Sequence, residues 1–339
     1  MRRARPWTVC GTFLFVTLGF ALLVNTPRFQ LLLQRQMQPS SFTDGPLAGM
    51  INSYVLGVAF LGRDITATWL YLLIGSVFLY AVARYLRPAQ RPGDHLVFFL
   101  TAWSALTAAV CLAAFVHDLS AGFILAQAPS GELYAFFAGW LPALGLTVVN
   151  MAMSSAQEHT TTPRRVPWAL AATPAGVMLL AAAAWPMLPP HDPTGGPGSV
   201  GWFIVMWNPQ LHVLSVVPAP GQQVDQWLFD ALPWVVAGIA VTVLTRQIVQ
   251  RLDAIPLMVA ALVGWWMAML TAMIIGGLRT ILPPGSPSNL DHLLLHAMLD
   301  LVEALRAALI VGLLCGLAFA WAYHRHTARA EEKGNDHVR

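Results

Sequence analysis

Residues 255–278 read IPLMVAALVGWWMAMLTAMIIGGL, an apolar run closed by Arg279 and preceded by Arg246 and Arg251. No aspartate, glutamate, lysine or arginine interrupts it. At ~1.5 Å of rise per residue, a helix of this length crosses the ~30 Å hydrocarbon core of a bilayer. Seven further stretches meet the same standard, roughly 7–24, 66–83, 96–116, 134–152, 167–188, 228–245 and 293–322. The sequence therefore predicts an all-α, polytopic membrane bundle of about eight transmembrane helices, forming a single integral membrane domain over 1–339. Composition agrees, because only 10% of the residues are charged whereas soluble domains carry about 25%.

The arginines orient the spans. Arg2, Arg3 and Arg5 precede the first, and Arg84, Arg87 and Arg91 follow the second. Arg164 and Arg165, then Arg246 and Arg251, then the tail from 324 to 339 continue the alternation. Of the 19 lysines and arginines, only Arg28, Arg35, Arg63 and Arg279 fall in the opposite segments, and Arg306 lies within a helix. Cytoplasmic loops carry the excess of basic residues, so both termini are expected in the cytoplasm, with 324–339 as a cytoplasmic tail. The membrane is expected to be a bacterial-type cytoplasmic (inner) membrane. The run at 7–24 is long enough to span and is followed by Asn25-Thr26-Pro27, not a small-residue cleavage site, so it reads as an uncleaved first helix. Residues 50–62 (MINSYVLGVAFLG) are apolar but too short to cross. Counting them as a span would put the 84–91 arginines outside, so they read as a re-entrant or interfacial helix. The segment 189–227, rich in Trp, Phe, Ile and Val in its middle, reads as a cap loop on the outer side.

The composition excludes several classes. There is no basic face interleaved with aromatics for nucleic acid. Cys10, Cys111 and Cys315 all lie in apolar stretches and form no metal-binding CxxC pair. Walker A and nucleophile-elbow signatures are missing, and Pro129-Ser130-Gly131 reads as a turn.

Chemistry concentrates in Asp291-His292-Leu293-Leu294-Leu295-His296-Ala297-Met298-Leu299-Asp300-Leu301-Val302-Glu303-Ala304-Leu305-Arg306, which opens the last span behind a capping-box spacing, Ser288-x-x-Asp291. At ~100° per residue, His292, His296, Asp300, Glu303 and Arg306 fall on one stripe, and over ~21 Å they descend from the outer interface. Glu303 and Arg306, one turn apart, are expected to pair with each other. His117 and Asp118 end the third span, Asp230 opens the sixth, and His212 lies in the outer cap. Together these residues predict a water-accessible cavity on the outer side.

Two histidines at i and i+4 with a carboxylate at i+8 suit a divalent or transition metal ion, Zn, Cu, Fe or Mn. His292, His296 and Asp300 are the expected ligands, with His117, Asp118 or His212 completing the set. In a metal-dependent enzyme, Asp300 and Glu303 would serve as catalytic carboxylates, Arg306 as counter-charge, and a metal-bound water as nucleophile. The histidines lack the HExxH glutamate of zincins. Met267, Met269 and Met273 read as packing rather than copper ligands. The expected partners are membrane lipids, a lipophilic or lipid-linked substrate, and other membrane subunits. Three alternatives stay open. The same residues form a proton relay in a proton-coupled transporter, or His117 joins His292 or His296 in a haem- or quinone-binding subunit. Otherwise the stripe is a helix contact in a non-catalytic subunit.

Overall fold

The structure, a computed structural model, describes residues 6–36, 61, 65–85, 92–121, 130–153, 166–184, 224–250, 256–281 and 290–336. The 50–62 segment (apart from Leu61), His212 and most of the 189–227 loop lie outside the described residues. So do the capping-box spacing before 290 and the side chains of Asp230, His292 and His296.

Among the described residues the chain is entirely helical, with no strand. The helices, in chain order, are α1 (Pro6–Val24), α2 (Pro27–Gln36), α3 (Ile65–Tyr85), α4 (Pro92–Ser120), α5 (Ser130–Phe137), α6 (Trp140–Met153), α7 (Trp168–Ala171), α8 (Thr173–Ala184), α9 (Val224–Val249), α10 (Leu257–Ile281) and α11 (Leu290–Asp336). Six of them, α1, α3, α4, α9, α10 and α11, are long and apolar enough to cross a bilayer. A seventh crossing arises if α5 and α6, bent by 41° at their junction, act as one span. The stretch expected as a fifth continuous span is two short helices, α7 and α8, over its described part.

The outer surface shows where these helices sit. Phe15, Leu22, Trp69, Leu73, Leu180, Ile239, Leu314, Leu317 and Trp321 are all exposed. A water-soluble monomer rarely tolerates so many exposed large apolar side chains, and a bilayer accepts them without penalty. The chain is a multi-pass membrane protein.

The core lies along α4, α10 and α11. In α10 78% of the span is buried, against 28% in the peripheral α1, and α10 packs along α11 more extensively than any other described pair. Small residues set this approach, as expected where packing rather than water expulsion joins helices. A Cβ on Gly264 would lie 2.9 Å from the Gly316 Cα, and one on Gly276 would lie 2.8 Å from the Leu301 Cα. Buried hydroxyls on these helices bond back into their own backbones. Thr101 donates to the Val97 carbonyl at 2.7 Å, Thr107 to Trp103 at 2.9 Å and Thr271 to Met267 at 2.8 Å. These three hydroxyls are thereby satisfied within the helix that carries them.

The break between α5 and α6 has a specific chemistry. The Gly139 N–H donates to the Tyr134 carbonyl at 2.8 Å, an i→i−5 bond that withdraws it from Ala135. The indole N–H of Trp103 on α4 takes the Ala135 carbonyl at 3.1 Å, and that of Trp140 takes Phe137 at 2.9 Å. Two indoles thus cap the carbonyls that the bend releases, which is the condition for broken helix at membrane depth. Glycine is required at the bend, since a Cβ on Gly139 would stand 2.6 Å from the Ala135 oxygen.

Candidate functional site

Four helix ends meet at one end of the bundle: the C-terminal ends of α4 and α10 and the N-terminal parts of α5 and α11. The last helix supplies Asp300, Glu303 and Arg306 at successive turns, as the stripe predicts, and the neighbours supply the rest.

Arg306 is buried, and its Nε donates to Glu132 Oε1 at 2.8 Å. Glu132 is 1% exposed and stands in the first turn of α5, where the helix dipole favours a carboxylate. The expected pairing of Arg306 with Glu303 is therefore corrected: the guanidinium takes its hydrogen bond across a helix interface rather than along its own helix. Asp118 and Cys111 on α4 also lie within electrostatic range of Arg306.

Asp300 pairs with Arg279 at the end of α10, with Nη1 to Oδ2 at 3.9 Å. The close approach at Gly276, one turn before Arg279, carries α10 near enough to α11 for this to happen. Glu303 is partly buried between the two ion pairs and interacts with Asp300 and Arg306. His117 Nδ1 lies 3.8 Å from Asp118 Oδ1, and Asp118 is buried. The structure thus brings Asp118, Asp300, Glu303 and Arg306 into one neighbourhood, with His117 beside Asp118. Met267, Met269 and Met273 are buried in the α10 packing.

The balance of charge is uneven. Among the described residues, Asp118, Glu132, Asp300 and Glu303 gather around two guanidiniums, Arg279 and Arg306. Glu132 Oε2 and Glu303 Oε2 are both buried with no hydrogen-bond partner among the described residues. A carboxylate oxygen in that state loses its hydration without return, so each is a ready acceptor for a proton or a cation. Among the described residues no three His, Cys, Asp or Glu side chains converge on a common metal position.

Glu132 is the member that sequence reasoning missed. It stands just before an apolar run, where a carboxylate passes for a solvated helix end. The signal was Arg306 itself, since an arginine inside an apolar helix calls for a counter-charge from a neighbouring span. No protein-family model, no curated protein and no solved structure matches this chain.

Proposed function

We propose that this chain is an eight-span protein of a bacterial-type cytoplasmic membrane that binds a cation at a site on its non-cytoplasmic side. Residues 1–5 and 324–339 then face the cytoplasm. The course of the helices supports the count. α4 and α10 both end at the charged cluster, so an even number of crossings must separate the end of α6 from the start of α10. α9 is one, and the segment containing α7 and α8 has to supply the other.

The observation that carries the functional reading is the surplus of acceptors in a largely buried place: among the described residues, four carboxylates, two guanidiniums, and two carboxylate oxygens, on Glu132 and Glu303, with no hydrogen-bond partner. The leading occupant is a transition metal ion held by His292, His296 and Asp300, with His117 as a further ligand. Imidazole and carboxylate suit Zn, Cu, Fe or Mn, and the histidines lie one and two turns ahead of Asp300 on α11. The protein would then handle metal or use it on a lipophilic substrate, with Glu303 as proton acceptor. Elemental analysis of the purified protein should find about one ion per chain, lost in His296→Ala. Less than about a tenth of an equivalent, unchanged by that substitution, would remove this occupant.

A second reading has its own observation. Glu132 and Glu303, each with a carboxylate oxygen that has no hydrogen-bond partner among the described residues, lie deeper along the site than His292 and His296, which suits proton binding in a proton-coupled carrier. Carboxyl infrared difference spectra across a pH titration, compared with Glu303→Gln, report the proton directly. Proton flux into proteoliposomes that is abolished by Glu303→Gln and indifferent to His296→Ala selects this reading over the metal.

A further inference from the structure

A second feature shares no lining residue with the charged cluster. Between α7, α8, α9 and α10 runs a cleft of ≈ 480 Å³, lined by Trp168, Gly176, Leu179, Gly238, Ile239 and Val243 among others. The walls are apolar, and its rim residues Ile239 and Leu179 are exposed on the lipid-facing surface. Two glycines keep it open, since a Cβ on either Gly176 or Gly238 would meet nothing within 4 Å. These glycines are unlike Gly264, Gly276 and Gly316, each of which is pressed against a neighbouring helix.

One end of the cleft is charged. The Arg246 guanidinium lies 4.0 Å from the ring centroid of Trp168, a wall residue, and Arg246 follows Val243 on α9 by one turn. Stacking over an aromatic face leaves the in-plane N–H groups of a guanidinium available for a fork of hydrogen bonds. Arg246 Nε is buried and has no hydrogen-bond partner among the described residues. From Trp234 to Arg246 the face measures ~18 Å along the helix, comparable with an acyl chain and its headgroup.

We infer that the cleft is a binding site for an anionic phospholipid, with an acyl chain against Gly176 and Gly238 and the phosphate on Arg246. The charge complementarity selects this occupant. An apolar groove alone would take any chain, whereas a stacked arginine at its mouth matches a phosphate with bidentate geometry. The site is independent of the cation site and would stand if that reading failed.

Native mass spectrometry of the full-length protein, given phosphatidylglycerol and phosphatidylcholine with matched chains, tests it. Retention of phosphatidylglycerol should exceed that of phosphatidylcholine by about tenfold, the effect of one charge-assisted contact. Arg246→Gln should level the two. Gly238→Leu and, separately, Gly176→Leu should remove retained lipid of both kinds, with melting temperatures near that of the wild type because each side chain enters open space. Equal retention of both lipids by the wild type, or undiminished retention in both glycine variants, overturns the assignment.

Discussion

Arg306 carries a full charge into an apolar helix, where insertion scales place the penalty at about 2.5–3.5 kcal/mol, and Glu132 answers it from another span. Two partners compete for this guanidinium. A pair one turn apart on the same helix contributes about 0.2–0.5 kcal/mol, while a charge-assisted hydrogen bond to a buried carboxylate contributes about 1.5–3 kcal/mol. The interhelical partner wins by that margin, at 2.8 Å. Arg306→Gln or Glu132→Gln should each lower unfolding stability by about 3–5 kcal/mol, because the remaining charge is stranded. The double substitution Glu132→Leu with Arg306→Met should recover most of that loss. Denaturant titration in micelles reads all three; single variants as stable as the wild type would show that the pair carries no structural weight. Asp300 is a contrast, since its partner stands at 3.9 Å and its side chain is 25% exposed. Asp300→Asn should cost less than Glu132→Gln, because the contact is longer and the carboxylate more exposed, so loss of cation binding with the fold retained would report function rather than folding.

The fourth span shows how an element departs from what periodicity alone suggests. A continuous helix is the default for an apolar run, and 134–152 reads as one. The break comes from tertiary partners: Trp103 on α4 satisfies the Ala135 carbonyl that the bend releases. The bend in turn lets α5 present Glu132 to α11 at an angle of its own. Trp103→Phe keeps the aromatic bulk and deletes the donor. It should destabilise by about 1–3 kcal/mol, the cost of an unpaired buried carbonyl, and loosen the Glu132–Arg306 contact with it. Hydrogen exchange should therefore rise around 135–139 in this variant, and unchanged protection there would remove the capping role. At the α10–α11 seam, Gly316→Leu should be far more damaging than Gly238→Leu. The first drives a side chain into the facing helix, and the second enters open space. A comparison of the two melting curves checks whether the seam or the lipid-facing groove governs stability.

At the scale of the whole molecule, the proposed eight-span topology, with an even number of crossings between α6 and α10, ties the orientation to the site. Reporter fusions give the test. An alkaline phosphatase moiety joined after Gln127 or after Gly198 should be active outside, and fusions after Arg91 or Gln157 should be inactive. Activity after Arg91 would invert the scheme and place the charged cluster on the cytoplasmic side. The proposed orientation rests on the arginines of the sequence segments 84–91, 164–165 and 246–251, which the positive-inside rule assigns to the cytoplasm.

Length and apolarity were enough to read the membrane class, because a bilayer imposes a threshold on each run separately and no partner is needed to apply it. The stripe from Asp300 to Arg306 was equally legible, since a helix repeats at a known angle along one chain. Glu132, the 41° break and the pairing of Asp300 with Arg279 were not. Each depends on which spans lie side by side, and apolar helix surfaces of similar composition leave that choice to packing at a few glycines and to the search of buried charges for partners. The local pattern determined which residues enter the membrane, and only the tertiary structure decided which of them meet.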